Sequence, residues 1–183
     1  MRYRFTLLLV IAAALGACDD DLSLGTWDAT PDTIALFSLS RPDGLGFPSA
    51  YDFSTRRVVE VETPGATSNW DVALADVSTA LQLIPAGAFE GQSSRAAIAT
   101  IQGQSFDDLT EAPADTARFT AQPVTLQQGG VYVVRTRRVA CGFSTAVHYA
   151  KILAVTLDPV AGIATFAVVA NPLCNDRSFI PPD

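Results

Sequence analysis

Apolar and polar residues alternate at every second position through much of this chain, the period of a half-buried β-strand. Ala50-Tyr51-Asp52-Phe53-Ser54 and Val59-Glu60-Val61-Glu62 show it plainly, and Thr63-Pro64-Gly65 breaks the second run. Thr33 to Leu39 is β-compatible and stops at Arg41-Pro42-Asp43-Gly44, where Pro presets φ and Gly supplies freedom. Strand alternation sets Trp70, Val72 and Leu74 on one face and Asp71, Ala73 and Ala75 on the other. Leu81 to Ile84 and Ala96 to Ile101 predict two further strands around a turn region from Pro85 to Gly91. Gly130 to Arg137, Val147 to Leu157 and Ile163 to Ala170 predict three more, the last two ended by Asp158-Pro159 and Asn171-Pro172. Phe106 to Gln122 is polar, interrupted by Pro113, and fits a long loop or a short helix. Many short strands without a sustained helical period predict an all-β fold, an antiparallel multi-stranded β-sandwich or open barrel.

The front of the chain breaks this pattern. Arg2 and Arg4 precede the apolar run Phe5 to Ala14, and Leu15-Gly16-Ala17-Cys18 follows. The run is shorter than the roughly 20 residues a spanning helix needs. Its layout resembles a bacterial lipoprotein signal. That resemblance implies cleavage before Cys18 and lipid on the Cys18 thiol; the competing view is an ordinary secretory signal with a chance cysteine. The expected organisation is a signal over 1–17, an acidic flexible stem over 18–32 beginning Asp19-Asp20-Asp21, and one β-domain over 33–183. Membrane lipid held through Cys18 would place the protein in the cell envelope, facing the periplasm or the cell surface. Several acyl chains at about 0.8 kcal/mol per buried methylene anchor firmly.

Charge and cysteine content narrow the chemistry. The chain has 12 basic and 19 acidic residues. Losing Arg2 and Arg4 leaves 10 against 19, a mature charge of −9. Such a body disfavours nucleic-acid binding, which needs cations to neutralise phosphates. With Cys18 lipidated, Cys141 and Cys174 remain as an even pair suited to an oxidising compartment. A bridge would close a loop of about 33 residues. Two buried thiols or half a metal site are the alternatives, and with a single histidine and no Cys-x-x-Cys no metal site is expected.

Three stretches together resemble the HmuY family of bacterial lipoproteins. Tyr51-Asp52-Phe53 through Val61, then Asn69-Trp70-Asp71-Val72, is similar to that family's opening strands. Phe106-Asp107-Asp108-Leu109-Thr110-Glu111-Ala112-Pro113 resembles its central loop. Val131 to Thr136 and Tyr149-Ala150-Lys151-Ile152 resemble its closing hairpin. The resemblance runs over about residues 33–170 and implies an all-β lipoprotein that captures haem or a related porphyrin. Haem iron takes axial ligands from His, Met, Cys or Tyr. The mature chain offers His148 and no methionine, so a two-histidine or histidine–methionine site within one chain is impossible. His148, alone, with Tyr51, Tyr132 or Tyr149, or in a site shared between two chains, is the candidate haem ligand, although His148 and Tyr149 face opposite sides of a regular strand.

Other chemistry has less behind it. Gly103-Gln104-Ser105-Phe106-Asp107 misses a nucleophile elbow, and Ser144 stands four residues before His148 without further signs of a hydrolase. Asp107-Asp108 and Glu60/Glu62 read as solvated carboxylates rather than an acid–base pair. Arg135 and Arg137 share a strand face beside Arg138, either as contacts for anions such as propionates or as an exposed, charged edge strand. Trp70 and Phe53 read as core. The expectation is a binding protein rather than an enzyme, holding haem or, alternatively, serving as an envelope protein-interaction module without a haem site.

Overall fold

A computed structural model describes residues 27–41, 46–61, 69–89 and 94–182. The expected signal, Cys18, Asp19-Asp20-Asp21, Glu62 and the breaker Thr63-Pro64-Gly65 lie outside the described residues. The strands are β1 (Asp32–Phe37), β2 (Ala50–Asp52), β3 (Arg57–Val59), β4 (Val72–Val77), β5 (Ala80–Pro85), β6 (Ala97–Ile101), β7 (Val124–Thr125), β8 (Val131–Arg135), β9 (Val139–Cys141), β10 (Ser144–Ala146), β11 (Tyr149–Asp158) and β12 (Ile163–Asn171). Two single 3₁₀ turns, Ala86–Ala88 and Thr116–Arg118, are the helical elements among the described residues.

The strands form an antiparallel sandwich. One sheet has the order β1-β12-β11-β8-β6, the other β3-β2-β4-β5-β7, and β9 and β10 pair apart from both. Period-2 alternation makes this layering possible, because each strand offers one face to the space between the sheets. Leu36, Tyr132, Val134, Ile152, Phe166 and Val168 project there from the first sheet. Tyr51, Phe53, Val72, Leu74, Leu81 and Leu83 meet them from the second. Trp70 does not share the face of Val72 and Leu74 as alternation predicts. It precedes β4 and packs with Ala50, Ala73 and Ala86 on the outer side of the second sheet, with Phe89 edge-on at 5.2 Å.

The first sheet buries its other face too. Ala99, Ile101, Val131, Val133 and Val169 are covered there by Phe106, Leu109, Ala112, Phe179 and Trp27. A sheet apolar on both sides needs a second cover, and irregular chain supplies it. The expected stem over 18–32 is therefore corrected at its C-terminal end: Trp27 is buried and Asp32 opens β1. Phe106 to Gln122 is the long loop that its polar sequence allowed. It is a covering layer with one 3₁₀ turn, capped where the Asp115 carboxylate accepts from the Ala117 amide at 2.9 Å.

Lys151 lies beneath this layer. Its ammonium donates to the carbonyls of Phe106 (2.8 Å) and Leu109 (3.1 Å) and sits 4.6 Å from the Phe106 ring centroid. Burial lowers the Lys151 pKa, with Asp107 pulling the other way. Replacing the ammonium with an isosteric thioether leaves two carbonyls without donors. Lys151→Met should cost about 1–3 kcal/mol in urea unfolding. Backbone amides of 105–112 should exchange faster in that variant, as hydrogen-exchange mass spectrometry will read.

Candidate functional site

Of the described residues singled out in the sequence as ligands, bridges or anion contacts, most come together at one end of the sandwich. Arg135, Arg137, Cys141, His148, Tyr149 and Cys174 lie there, at or beyond the end of β8, the start of β11 or the end of β12, with Tyr51 in β2 across from them. Tyr132 sits at the other end of β8, beside the Gln127–Gly130 turn. Their roles differ from those expected. Arg137 follows β8 and turns inward. Its guanidinium donates to both Asp52 oxygens (3.0 and 2.9 Å) and to Asp71 Oδ1 at 3.2 Å, and its backbone N–H donates to the same Asp71 oxygen at 2.8 Å. The second Asp71 oxygen accepts from the Phe53 amide at 2.9 Å. Asp52 also ties the β2–β3 turn, accepting from the hydroxyls of Ser54 (2.6 Å) and Thr55 (2.8 Å).

Arg137 is thus an anion contact, but its anions are the protein's own. The expected positive face does not form, nor is β8 an edge strand, since it lies between β11 and β6. Arg135 keeps the outward side, its guanidinium 5.3 Å from the Phe119 ring centroid. Pairing accounts for the change: two buried carboxylates without a cation would be far costlier than one unpaired surface arginine.

The two carboxylates titrate in opposite directions. Burial alone would raise the Asp52 carboxyl, but hydrogen bonds from Arg137, Ser54 and Thr55 outweigh it and hold it down at about 2. For Asp71 burial wins over the same guanidinium and the backbone donors, and its carboxyl is pushed up to about 6.

His148 stands just before β11 and is buried. Its backbone pairs with Thr136, accepting from that amide (2.9 Å) and donating to that hydroxyl (2.8 Å). Its ring Nδ1 is 3.3 Å from the Asn171 carbonyl and its Nε2 is 3.9 Å from Cys174 Sγ. Both nitrogens face protein. An axial ligand needs one nitrogen open to a porphyrin-sized space, so His148 does not fit haem iron. The tyrosines fit no better. The Tyr132 hydroxyl accepts from the Gln127 amide at 2.8 Å, where Gly130 leaves room that a Cβ would fill, and Tyr149 is buried beside Phe119. Burial, reinforced by Asp32, pushes the Tyr51 hydroxyl up to about 12, which opposes the tyrosinate an iron would require. Among the described residues no group of three or more His, Cys, Asp or Glu side chains converges as a metal site.

The bridge forms as one of the sequence alternatives had it. Cys141 in β9 is joined to Cys174 in the C-terminal segment, with their Cα atoms 6.4 Å apart. Asn175 adds to the attachment: its amide donates to the Val147 carbonyl (2.8 Å) and its side chain accepts from the Val147 amide (3.2 Å). The β9–β10 hairpin needs such anchoring, because a lone two-stranded ribbon is marginal in water. Its turn is Gly142-Phe143, with Gly142 at φ +58°, the left-handed geometry that a two-residue hairpin demands of its first position. That geometry leaves the Phe143 ring fully exposed at the tip. Val160, at the opposite end, is as exposed but belongs to an ordinary connection between β11 and β12.

Sequence reading missed this hairpin, although Cys141-Gly142-Phe143-Ser144 holds the one local clue, a glycine between two short β-compatible runs. It also missed Asp52 and Asp71 as partners of Arg137. No protein-family profile, curated protein or solved structure matches this chain.

Two outcomes follow. Asp52 is depressed in the fold, so its contribution is complete above its unfolded value of about 4 and is lost as pH falls towards about 2. Asp71 is raised, so its contribution is complete below about 4 and declines as pH climbs through about 6. Urea midpoints measured across this range should show the acid limb flatten in Asp52→Asn and the shallower decline at higher pH disappear in Asp71→Asn. For the bridge, replacing Cys141 and Cys174 together by serine should remove about 3–4 kcal/mol and accelerate amide exchange across 139–146 more than in β11.

Proposed function

We propose that this protein is a lipid-anchored, extracytoplasmic binding module that engages a protein partner in the cell envelope through the end of the sandwich bearing the β9–β10 hairpin. The observation that carries it is Phe143: a fully exposed aromatic ring on a two-residue turn, held in place by the Cys141–Cys174 bridge. Single exposed apolar side chains are ordinary. An aromatic on a stapled tip is different, because the bridge has already ordered the backbone that presents it, so less entropy is lost on contact. Aromatic rings are the usual anchors of interfaces. Arg138 is exposed two residues beyond the buried Thr136 and gives the same end a cationic rim.

Several observations support the setting. A disulfide suits an oxidising compartment, and the Leu15-Gly16-Ala17-Cys18 pattern supplies the anchor. The resemblance to HmuY-type lipoproteins supports an all-β binding scaffold on such an anchor. Haem is not part of this proposal, since His148 is enclosed on both ring nitrogens. Nor is catalysis: the buried polar groups at this end are spent on one another.

A photo-reactive phenylalanine analogue at position 143, introduced into the full-length protein in its own cells, tests the proposal. Irradiation should give a discrete adduct with an envelope protein, lost when Cys141 and Cys174 are both serine. Absence of any adduct, or one indifferent to the bridge, overturns it. Haemin added to the purified lipoprotein should leave its Soret band unshifted; a sharp shift abolished by His148→Ala would restore the haem reading instead.

A further inference from the structure

Strand β1 is one edge of the first sheet, and the direction of its backbone groups follows from parity. The Phe37 amide leaves the sheet for the Pro48 carbonyl at 2.9 Å, whereas the next amide, Ser38, turns back to the Gly162 carbonyl at 2.7 Å. Alternation then points the N–H and C=O of Thr33 and Ala35 outward, away from β12. The opposite edge confirms the parity. There Ile98 points outward from β6, and Thr120 pairs with both its groups, at 2.9 and 2.8 Å. One edge of the sheet is closed by a covering segment. At the other, no described residue pairs with the outward groups of Thr33 and Ala35, which leaves a ladder open among the described residues.

A cleft of about 580 Å³ opens beside that ladder, between β1 and the β2–β3 hairpin. Ile34 and Tyr51 line its floor and Val58, half exposed, its wall. The Tyr51 hydroxyl has no hydrogen-bond partner among the described residues, although its ring is buried against Phe53. Arg56 and Arg57 stand exposed at the rim, and neither pairs with a carboxylate among the described residues. Arg56 gives one N–H to the Ala170 carbonyl at 2.6 Å, which orients the guanidinium and leaves its other donors available. Asp32 is the one acid among the lining residues named for the cleft, and Asp28 lies near enough to Arg56 to feel its charge, so two guanidinium groups face the cleft with Asp32 inside it and Asp28 beside it.

We propose that this cleft binds an extended, carboxylate-bearing peptide segment of a partner protein, which adds to β1 as an outer strand. The backbone of Thr33 and Ala35 supplies the ladder, as in other cases of strand addition. Arg56 and Arg57 receive the carboxylate, and the Tyr51 hydroxyl donates from the floor. The site shares no residue with the hairpin tip, so it stands if the contact at Phe143 fails.

The test uses the full processed lipoprotein and a fluorescent, terminally blocked peptide, Thr-Val-Glu-Val-Thr-Val, with a counterpart carrying Lys in place of Glu. Anisotropy should show the glutamate peptide binding at least about tenfold more tightly, as expected for loss of a charge-assisted hydrogen bond. Joint Arg56→Glu and Arg57→Glu substitution should reverse that preference. Amide exchange at Thr33 and Ala35 should slow when the peptide is present. Ala35→Pro removes an outward donor without touching the ladder to β12, and it should abolish binding while urea unfolding remains cooperative. Binding of neither peptide, binding that leaves Thr33 and Ala35 unprotected, or a preference indifferent to the arginines would each overturn the proposal. So would protection of those amides that grows with protein concentration alone, which would give the edge to a second copy of the chain.

Discussion

Two carboxylates and one guanidinium, shut between the sheets at one end, set the terms for the rest of this molecule. Taking three charges out of water costs several kcal/mol per ion, and only good geometry with further donors offsets it. Here the geometry comes from three separate stretches of chain. Arg137 belongs to the first sheet's side; Asp52 ends β2 and Asp71 precedes β4 in the second. Apolar packing alone would let the two sheets slide in small steps, since methyl groups meet methyl groups at many offsets. The bidentate contact to Asp52 tolerates no such slip. The network therefore fixes the relative register of the sheets, while the apolar core between them supplies most of the stability.

That constraint also explains why the end of the sandwich is rich in chemistry yet poor in reactivity. Thr136, His148 and Asn171 lie in the same end layer as Arg137, each bonded to backbone of another segment. Such side chains act as splints for irregular chain that has no ladder of its own. The backbone of 171–178 is held by Asn171, whose amide donates to the carbonyls of Asp176 and Ser178 and whose oxygen accepts from the Leu173 amide. Groups committed in this way are poor ligands. The network does not reach the hairpin tip beyond the bridge or the β1 edge of the first sheet.

Local signals told most about the strands and least about partners. Val131 to Arg135 and Ile163 to Asn171 alternate or run apolar between turn residues, and they form strands within a residue or two of where the pattern puts them. Trp70 shows the limit of the period: the ring lies one residue pair before β4, where strand alternation no longer governs direction. Asp52, Asp71 and Arg137 look like any solvated charges in a β-rich chain, because what buries them is tertiary contact across 66 and 85 positions. Trp27 was hidden for the opposite reason. Its surroundings are polar in sequence, and only the unprotected outer face of the first sheet draws it inward.

The two edges of the first sheet carry the argument one step further. An open edge strand invites pairing with other chains, and folds commonly suppress it with covers, bulges or charge. This protein covers the β6 edge with Thr120 and its neighbours. At β1 no such segment lies among the described residues; instead Arg56 and Arg57, neither in a salt bridge among those residues, stand across the cleft from the ladder. Charge in that position does not close an edge, but it selects what can approach. Uncharged or basic strands would leave the guanidinium groups partly desolvated without compensation, whereas an acidic strand satisfies them. The same residues that guard the edge against indiscriminate association therefore define the segment it would accept.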